Sequence, residues 1–286
     1  MVSIDLSEIK DLIQLNINAK EIVNLLIAIL EKSESSEARL ELLEFISAYD
    51  LHNASYFEIF ENHLISDAQE EIRALAAEII LRNYLEVGFD ALEWTILNDS
   101  SPLVLRTIYS FAKKSKSSYM VMLESIITER LDIIAQKYKI TIEEVPFLLD
   151  LGVKFMNNNF YIGNQDFHFI YENDILCIIK DQHITELGMS FMKEVPESIG
   201  LLSELELLDL SFGYITYLPN SMIQLKNLKI INLSWNEFTS IPDILKTLKN
   251  LDQIDIANNN VKFIPKWASK INKLIIEKKN KTVLIR

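Results

Sequence analysis

The sequence predicts an α+β protein built in two parts, an all-α helical repeat region followed by a repeat array that carries short strands. Three observations carry this expectation. Apolar residues in the first half recur at helical spacing. Four of the six prolines, Pro196, Pro219, Pro242 and Pro265, recur at one constant interval in the second half. The charge is also divided: residues 1–150 hold 26 acidic and 13 basic residues, and residues 151–286 hold 15 of each. The whole net charge of −13 therefore sits in the first half. Such a step marks two regions of different character.

The first half is expected to form helices over Ile4–Leu15, Ala19–Leu30, Glu37–Tyr49, Tyr56–Ile65, Gln69–Tyr84, Phe89–Leu97, Leu103–Phe111 and Tyr119–Tyr138. Asn18, Ser36, Asp67 and Ser101–Pro102 are the helix-start signals, because short polar side chains cap free N–H groups and proline suits the first turn. Three stretches look alike: SESSEARLELLEFIS, SDAQEEIRALAAEII and NDSSPLVLRTIYSFA. Their arginines, Arg39, Arg73 and Arg106, are almost evenly spaced, and Asp67 and Asp99 precede the second and third. Over about residues 20–116 this resembles the HEAT repeat. The resemblance implies a HEAT-like solenoid of antiparallel helix pairs, with a loop aspartate and a helix arginine laddered between repeats.

Ser115–Ser118 reads as a loop. The long helix to Tyr138 follows, then a shorter one from Thr141 to about Leu151. The stretch MNNNFYIGNQ, residues 156–165, is the linker candidate. The expected division is a helical domain over 1–116, connecting helices and linker over 117–165, and a repeat domain over 166–286. The helix–helix–hairpin order of 119–180 also suits a winged helix, but no basic face accompanies it.

When the chain is aligned on the proline interval, apolar columns line up around the prolines. Val195, Leu218, Ile241 and Ile264 precede them. Met192, Ile215, Phe238 and Val261 lie three residues earlier, and Leu187, Leu210, Leu233 and Ile256 lie upstream. The copies LELLDLSFGYITYLP, LKIINLSWNEFTSIP and LDQIDIANNNVKFIP resemble the leucine-rich repeat. The first copy, QHITELGMSFMKEVP, looks degenerate, with Gln182 and Thr185 at leucine positions. The motif's asparagine is present at Asn236 and Asn259 and replaced by Ser190 and Gly213. The resemblance covers about residues 182–274 and implies an α/β horseshoe with short parallel strands on its concave side. In the family that asparagine ladders backbone groups, so the first two copies should be less regular. A solenoid end needs covering. Phe167–Lys180 is expected to be a β-hairpin cap turning at Glu172–Asp174, and Thr282–Ile285 a last strand.

Chemistry is not evident. There is no P-loop or G-x-G-x-x-G, since the six glycines are too widely scattered to form either. His52, His63, His168 and His183 show no metal-ligand spacing. The single Cys177 permits no internal disulfide, lacks a partner base and reads as a packing residue. The expectation is no catalytic residues, no cofactor and no metal. The acidic balance argues against nucleic acid. The most apolar stretch, Ile22–Leu30, contains Asn24 and is far short of a membrane span. With no signal peptide and one thiol, the expected location is the cytoplasm. Abundant Lys, Ile and Asn suggest a microbial source.

The candidate site is the concave face. Strand alternation turns the residues between the leucines outward. This gives the columns Ile184, Leu207, Ile230, Gln253; Glu186, Asp209, Asn232, Asp255; Gly188, Ser211, Ser234, Ala257; and Met189, Phe212, Trp235, Asn258. Apolar and acidic columns side by side suit a protein partner with apolar and basic residues, unless the helical half packs there instead. The expected function is a non-catalytic scaffold or adaptor. Two other readings stay open: a regulatory module of a signalling system, such as a small-GTPase regulator, and a self-assembling structural element. Lys262, Lys266, Lys270, Lys273, Lys278, Lys279, Lys281 and Arg286 face one acid, Glu277. That end reads as a solubilising cap. It also suits an anionic surface or self-association with the acidic first half of another copy.

Overall fold

The computed structural model describes residues 18–51, 53–152, 160–162, 168–172, 175–278 and 281–285. The expected helix Ile4–Leu15 and His52 lie outside them. The chain divides into two compact units, Met1–Arg130 and Leu131–Arg286.

The first unit is helical. Its helices are α1 (Ala19–Leu30), α2 (Ser36–Ser47), α3 (Phe57–Ser66), α4 (Glu70–Asn83), α5 (Phe89–Asn98), α6 (Pro102–Ala112) and the first part of α7 (Ser118–Tyr138). Capping sets most of the starts. Asn18 accepts from the Lys20 N–H, and Ser101 accepts from the Val104 N–H ahead of Pro102. Ser35, not Ser36, caps α2, accepting from the Ala38 N–H. Asp67 is not a cap either, since Gln69 holds that place before α4. α4 packs against α2, α3 and α6. Leu42, Leu43, Ile46, Phe60, Ile72, Ile79, Leu92 and Ile108 fill the core.

Two arginines tie successive helical stretches together. Arg39 donates through Nε and Nη2 to the two Asp67 oxygens at 2.9 and 3.2 Å. Arg73 does the same to Asp99 at 2.7 and 3.0 Å, and its Nη1 reaches the Asp67 carbonyl at 2.9 Å. Both carboxylates are nearly buried. Burial pushes the Asp67 carboxyl up. It is outweighed by hydrogen bonds from Arg39, the Gln69 N–H and His63, so the net shift is downward from 3.8. A depressed carboxyl stabilises the fold above its unfolded value and loses that contribution as pH falls through its folded value. The deficit of Asp67→Asn against wild type, measured as urea midpoints, should therefore be largest near neutral pH. It should close as pH drops below about 4.

The second unit holds the rest of α7, a 3₁₀ turn over Ile142–Glu144, helix α8 (Val145–Asp150) and one sheet. The expected helix from Thr141 to about Leu151 is thus split, with Pro146 in the first turn of α8. The strands are β1 (Phe160–Ile162), β2 (His168–Glu172), β3 (Ile175–Lys180), β4 (His183–Met189), β5 (Leu207–Asp209), β6 (Ile230–Asn232), β7 (Gln253–Asp255), β8 (Lys273–Lys278) and β9 (Lys281–Ile285). Sheet order equals chain order. β4 to β8 run parallel, and the strands at both ends pair antiparallel.

β2 and β3 pair antiparallel as expected within Phe167–Lys180, while Phe167 and the turn residues 173–174 lie outside the described ones; β9 is the expected last strand. The linker candidate is corrected in part, because Phe160–Ile162 pairs with β2; its remaining residues lie outside the described ones. β3 and β4 are joined by Asp181 and Gln182 with φ of 49° and 66°. Two successive positive values fit a type I′ hairpin, whose twist matches that of its strands. Each repeat proline starts a 3₁₀ turn: Glu197–Leu201, Asn220–Gln224, Asp243–Thr247 and Lys266–Lys270. Leu208, Leu210, Ile231, Leu233, Ile254 and Ile256 point inward from the strands and are buried.

The buried Glu144 links the 3₁₀ turn to the sheet. Its carboxylate accepts from the Ile184 N–H at 3.0 Å and lies 3.1 Å from His183 Nδ1. The Thr141 N–H donates to the Gln182 carbonyl beside it.

Candidate functional site on the outward strand face

The parallel strands are short because each repeat supplies one inward residue flanked by two outward ones. Their pairing sets the columns. Leu207, Ile230 and Gln253 are paired neighbours, and so are Asp209, Asn232 and Asp255. These two columns stand as expected, half exposed.

The first repeat is displaced. β4 pairs with β5 as Glu186 to Leu207, Leu187 to Leu208 and Gly188 to Asp209. Partners on this pair of strands are thus two places closer in the chain than partners in the later repeats. Ile184 and Met189 therefore leave the outward columns. Their exposures are 0% and 1%, so the orientation expected of them is corrected. They occupy the inward places of Leu205 and Leu210. The first copy is then not degenerate, because Ile184, Leu187 and Met189 supply all three apolar positions. Pro196 follows the strand exit two places sooner than its counterparts do, and that shortening misaligned the register. Glu186 joins the row of Leu207, and Gly188 that of Asp209.

At the exit of the strands, displacement brings in Phe191, which the proline alignment did not single out. Phe191, Phe212, Trp235 and Asn258 have φ of 58°, 59°, 57° and 55°. This left-handed region favours glycine and asparagine and is a true outlier for bulky side chains. Asn258 suits it; the three aromatics do not. They are nonetheless 65%, 54% and 53% exposed. The Phe212 and Trp235 rings stack at 5.7 Å and 11°. The turn is held from below. Oδ1 of Asp209, Asn232 and Asp255 accepts from the N–H of Ser211, Ser234 and Ala257 at 2.9 to 3.0 Å. Ser211, Ser234 and Ala257 are buried rather than presented.

Asparagine ladders fix the next step of the chain. Asn236 Oδ1 accepts from the Ile215 N–H at 2.9 Å, and its Nδ2 donates to the Leu210 carbonyl at 2.7 Å. Asn259 repeats this with the Phe238 N–H and the Leu233 carbonyl. Gly213 fits because a Cβ there would sit 2.7 Å from Asn236 Oδ1 and 2.8 Å from the Met192 carbonyl. The outward face thus has an apolar row, a carboxylate and amide row, and an aromatic rim.

Other candidates bear differently. Burial, with the charge of Glu144, raises the Cys177 thiol to about 12. Iodoacetamide should leave Cys177 unmodified in the native protein at pH 8, and modify it in denaturant, as read by mass spectrometry. Among the described residues no three His, Cys, Asp or Glu side chains gather as a metal ion would need. No described helix is long and apolar enough to cross a membrane. Lys262, Lys266, Lys270 and Lys273 are exposed. The side chains of Lys278, Lys279, Lys281 and Arg286 lie outside the described residues.

Residues 203–261 match the family model described as leucine rich repeat. Among solved structures, the chain is similar to a leucine-rich-repeat protein of Leptospira interrogans at 31% identity and a TM-score of 0.28. That match covers 32% of this chain and 24% of the other. It is also similar to the leucine-rich-repeat ectodomain of a receptor kinase from Arabidopsis thaliana at 20% identity and a TM-score of 0.30. There the match covers 48% of this chain and 91% of the other. The chain thus spans about a quarter of the first of these structures. No curated protein matches the chain. Within the strand-rich part, the match to the leucine-rich-repeat model spans β5 to β7, residues 203–261.

Proposed function

We propose that the protein is a non-catalytic scaffold or adaptor that holds a protein partner on the outward, concave face of its leucine-rich repeats, within residues 166–286. One observation carries this reading. Phe191, Phe212 and Trp235 occupy a backbone conformation that disfavours them, and they expose their rings to water. Both features cost folding stability, and Asn258 makes the same turn without an aromatic. Strain of this kind collects at functional sites, and exposed aromatic rings are the usual anchors of interfaces. The paired arginines and aspartates support a HEAT-like stack over 1–116 as the other arm of the scaffold, joined through residues 117–165. The site of action is the cytoplasm.

The test is the double variant Phe212→Asn with Trp235→Asn. It should fold, with urea resistance equal to or above wild type, because asparagine relaxes both turns by roughly 1 kcal/mol each. Partners that cross-link to wild type in cells should be lost, as read by quantitative mass spectrometry. An unchanged partner set with the fold intact would refute the reading.

A further inference from the structure

A depression of about 360 Å³ lies on the outward face where the first repeat meets the hairpin. Gly188 causes it. This glycine pairs with Leu176 on one side and Asp209 on the other, and it presents no side chain between them. Leu176, Ile178 and Leu207 supply apolar walls, and Phe191 stands at the rim. Glu186 and Asp209 line the same space. Glu186 pairs with Leu207 and Gly188 with Asp209, so the two carboxylates are diagonal neighbours on adjacent strands. Strand geometry places their Cα atoms about 8 Å apart.

Among the described residues no salt bridge reaches Glu186 or Asp209. The outward rows from Ile178 to Gln253 and from Leu176 to Asp255 contain no lysine or arginine; the cations on this face stand beyond them, Lys273 next to Gln253 on β8 and Lys180 two places from Ile178 on β3. Asp209 meets only polar hydrogens, from the Ser211 N–H and from Asn232 Nδ2 at 3.0 Å. An acidic side chain entering the depression would be repelled, and an aliphatic one would strip water from two carboxylates without replacing it. A cationic head on an apolar stem meets both demands. A guanidinium is flat, spans separated carboxylates with several N–H donors and stacks on an aromatic face, whereas an ammonium is a compact point charge.

We propose that this depression receives an arginine side chain of the bound protein, its stem on Leu176, Ile178 and Leu207 and its guanidinium between Glu186, Asp209 and the Phe191 ring. This rests on the reading that the face binds a protein, and it adds the chemical class of the anchoring residue.

The test uses a capped, fluorescein-labelled pentapeptide with a central arginine between isoleucines, and the same peptide with citrulline or lysine in the centre. Binding is followed by fluorescence anisotropy on the whole protein. The arginine peptide should bind about tenfold more tightly than the uncharged citrulline one, the scale of a charge-assisted hydrogen bond. Gly188→Val should fill the depression and remove the preference. A Cβ there meets only ordinary contacts at 3.8 and 3.9 Å to Leu176, so the strand accepts it. Asp209→Asn, which places in this repeat the residue that Asn232 supplies in the next, and Glu186→Gln should each reduce the preference without unfolding. Equal binding of the citrulline or lysine peptide overturns the proposal. So does a Gly188→Val protein that still prefers arginine, or the absence of any arginine-dependent signal at millimolar peptide. If Phe212→Asn with Trp235→Asn loses its cellular partners while no arginine preference exists, the face reading stands and this one falls.

Discussion

Replacing Asn236 with alanine should cost about 3 kcal/mol of stability, more than most single substitutions on the strand side of the protein. The Ile215 N–H and the Leu210 carbonyl each lose a partner inside the repeat. Asn236 itself is buried, so water does not replace the amide. Burying one unsatisfied polar group costs about 1–3 kcal/mol, and here two are left. Gly213 gives the control. Gly213→Ala should also destabilise, because its new methyl would press on Asn236 Oδ1 and on the Met192 carbonyl. Removing Asn236 clears one of those two obstructions. The double variant should therefore cost less than the two single variants together, by about 1 kcal/mol. Urea unfolding of the four proteins measures this, and strict additivity would show that the two sites do not act through each other.

Arg73→Ala should cost about 3–4 kcal/mol, because a nearly buried carboxylate loses its bidentate partner. Asp99 would keep its charge in a poorly solvated place, and the Asp67 carbonyl would lose the donor from Arg73 Nη1. Arg73→Lys should recover less than half of the loss, since an ammonium does not reproduce the two parallel hydrogen bonds. The companion Asp99→Asn should cost less than Arg73→Ala, because the guanidinium retains two backbone carbonyls within reach. Thermal and urea unfolding would rank the three variants. Equal losses in all three would contradict the bidentate account.

The sequence showed arginines at near-constant spacing with aspartates before two of them, and the pairing of a loop aspartate with a helix arginine came only as what the HEAT resemblance implies. Which aspartate each arginine takes, Asp67 for Arg39 and Asp99 for Arg73, is seen only in the structure. The repeat array was legible where the proline, the leucines and the strand kept one spacing. It was misread in the first copy because the prolines set the alignment, and the prolines belong to the turn rather than to the strand. Sliding that copy by two places puts Ile184, Leu187 and Met189 on the leucine positions, a fit present in the sequence all along. Phe191 was missed for the same reason. The left-handed turns at Phe212 and Trp235 left no local signal, since aromatic residues do not announce that conformation; only Asn258 hints at it. The cap of the second helix slipped by one residue because Ser35 and Ser36 are chemically equal and only geometry separates them. The depression at Gly188 depends on strand register, which no single column of residues discloses.

The sheet whose strands follow one another in chain order has a consequence for how the molecule is made. Every strand pairs only with the strands just before and just after it in the chain. Among the described strands no pairing waits for a segment more than one repeat away, so the sheet closes only connections of about one repeat and never a chain-length loop. On the ribosome the β3–β4 hairpin can form as soon as it emerges, and it then offers a ready edge to each repeat that follows. Synthesis and assembly thus proceed in one direction, and the growing edge is covered by the next repeat rather than left open to another chain.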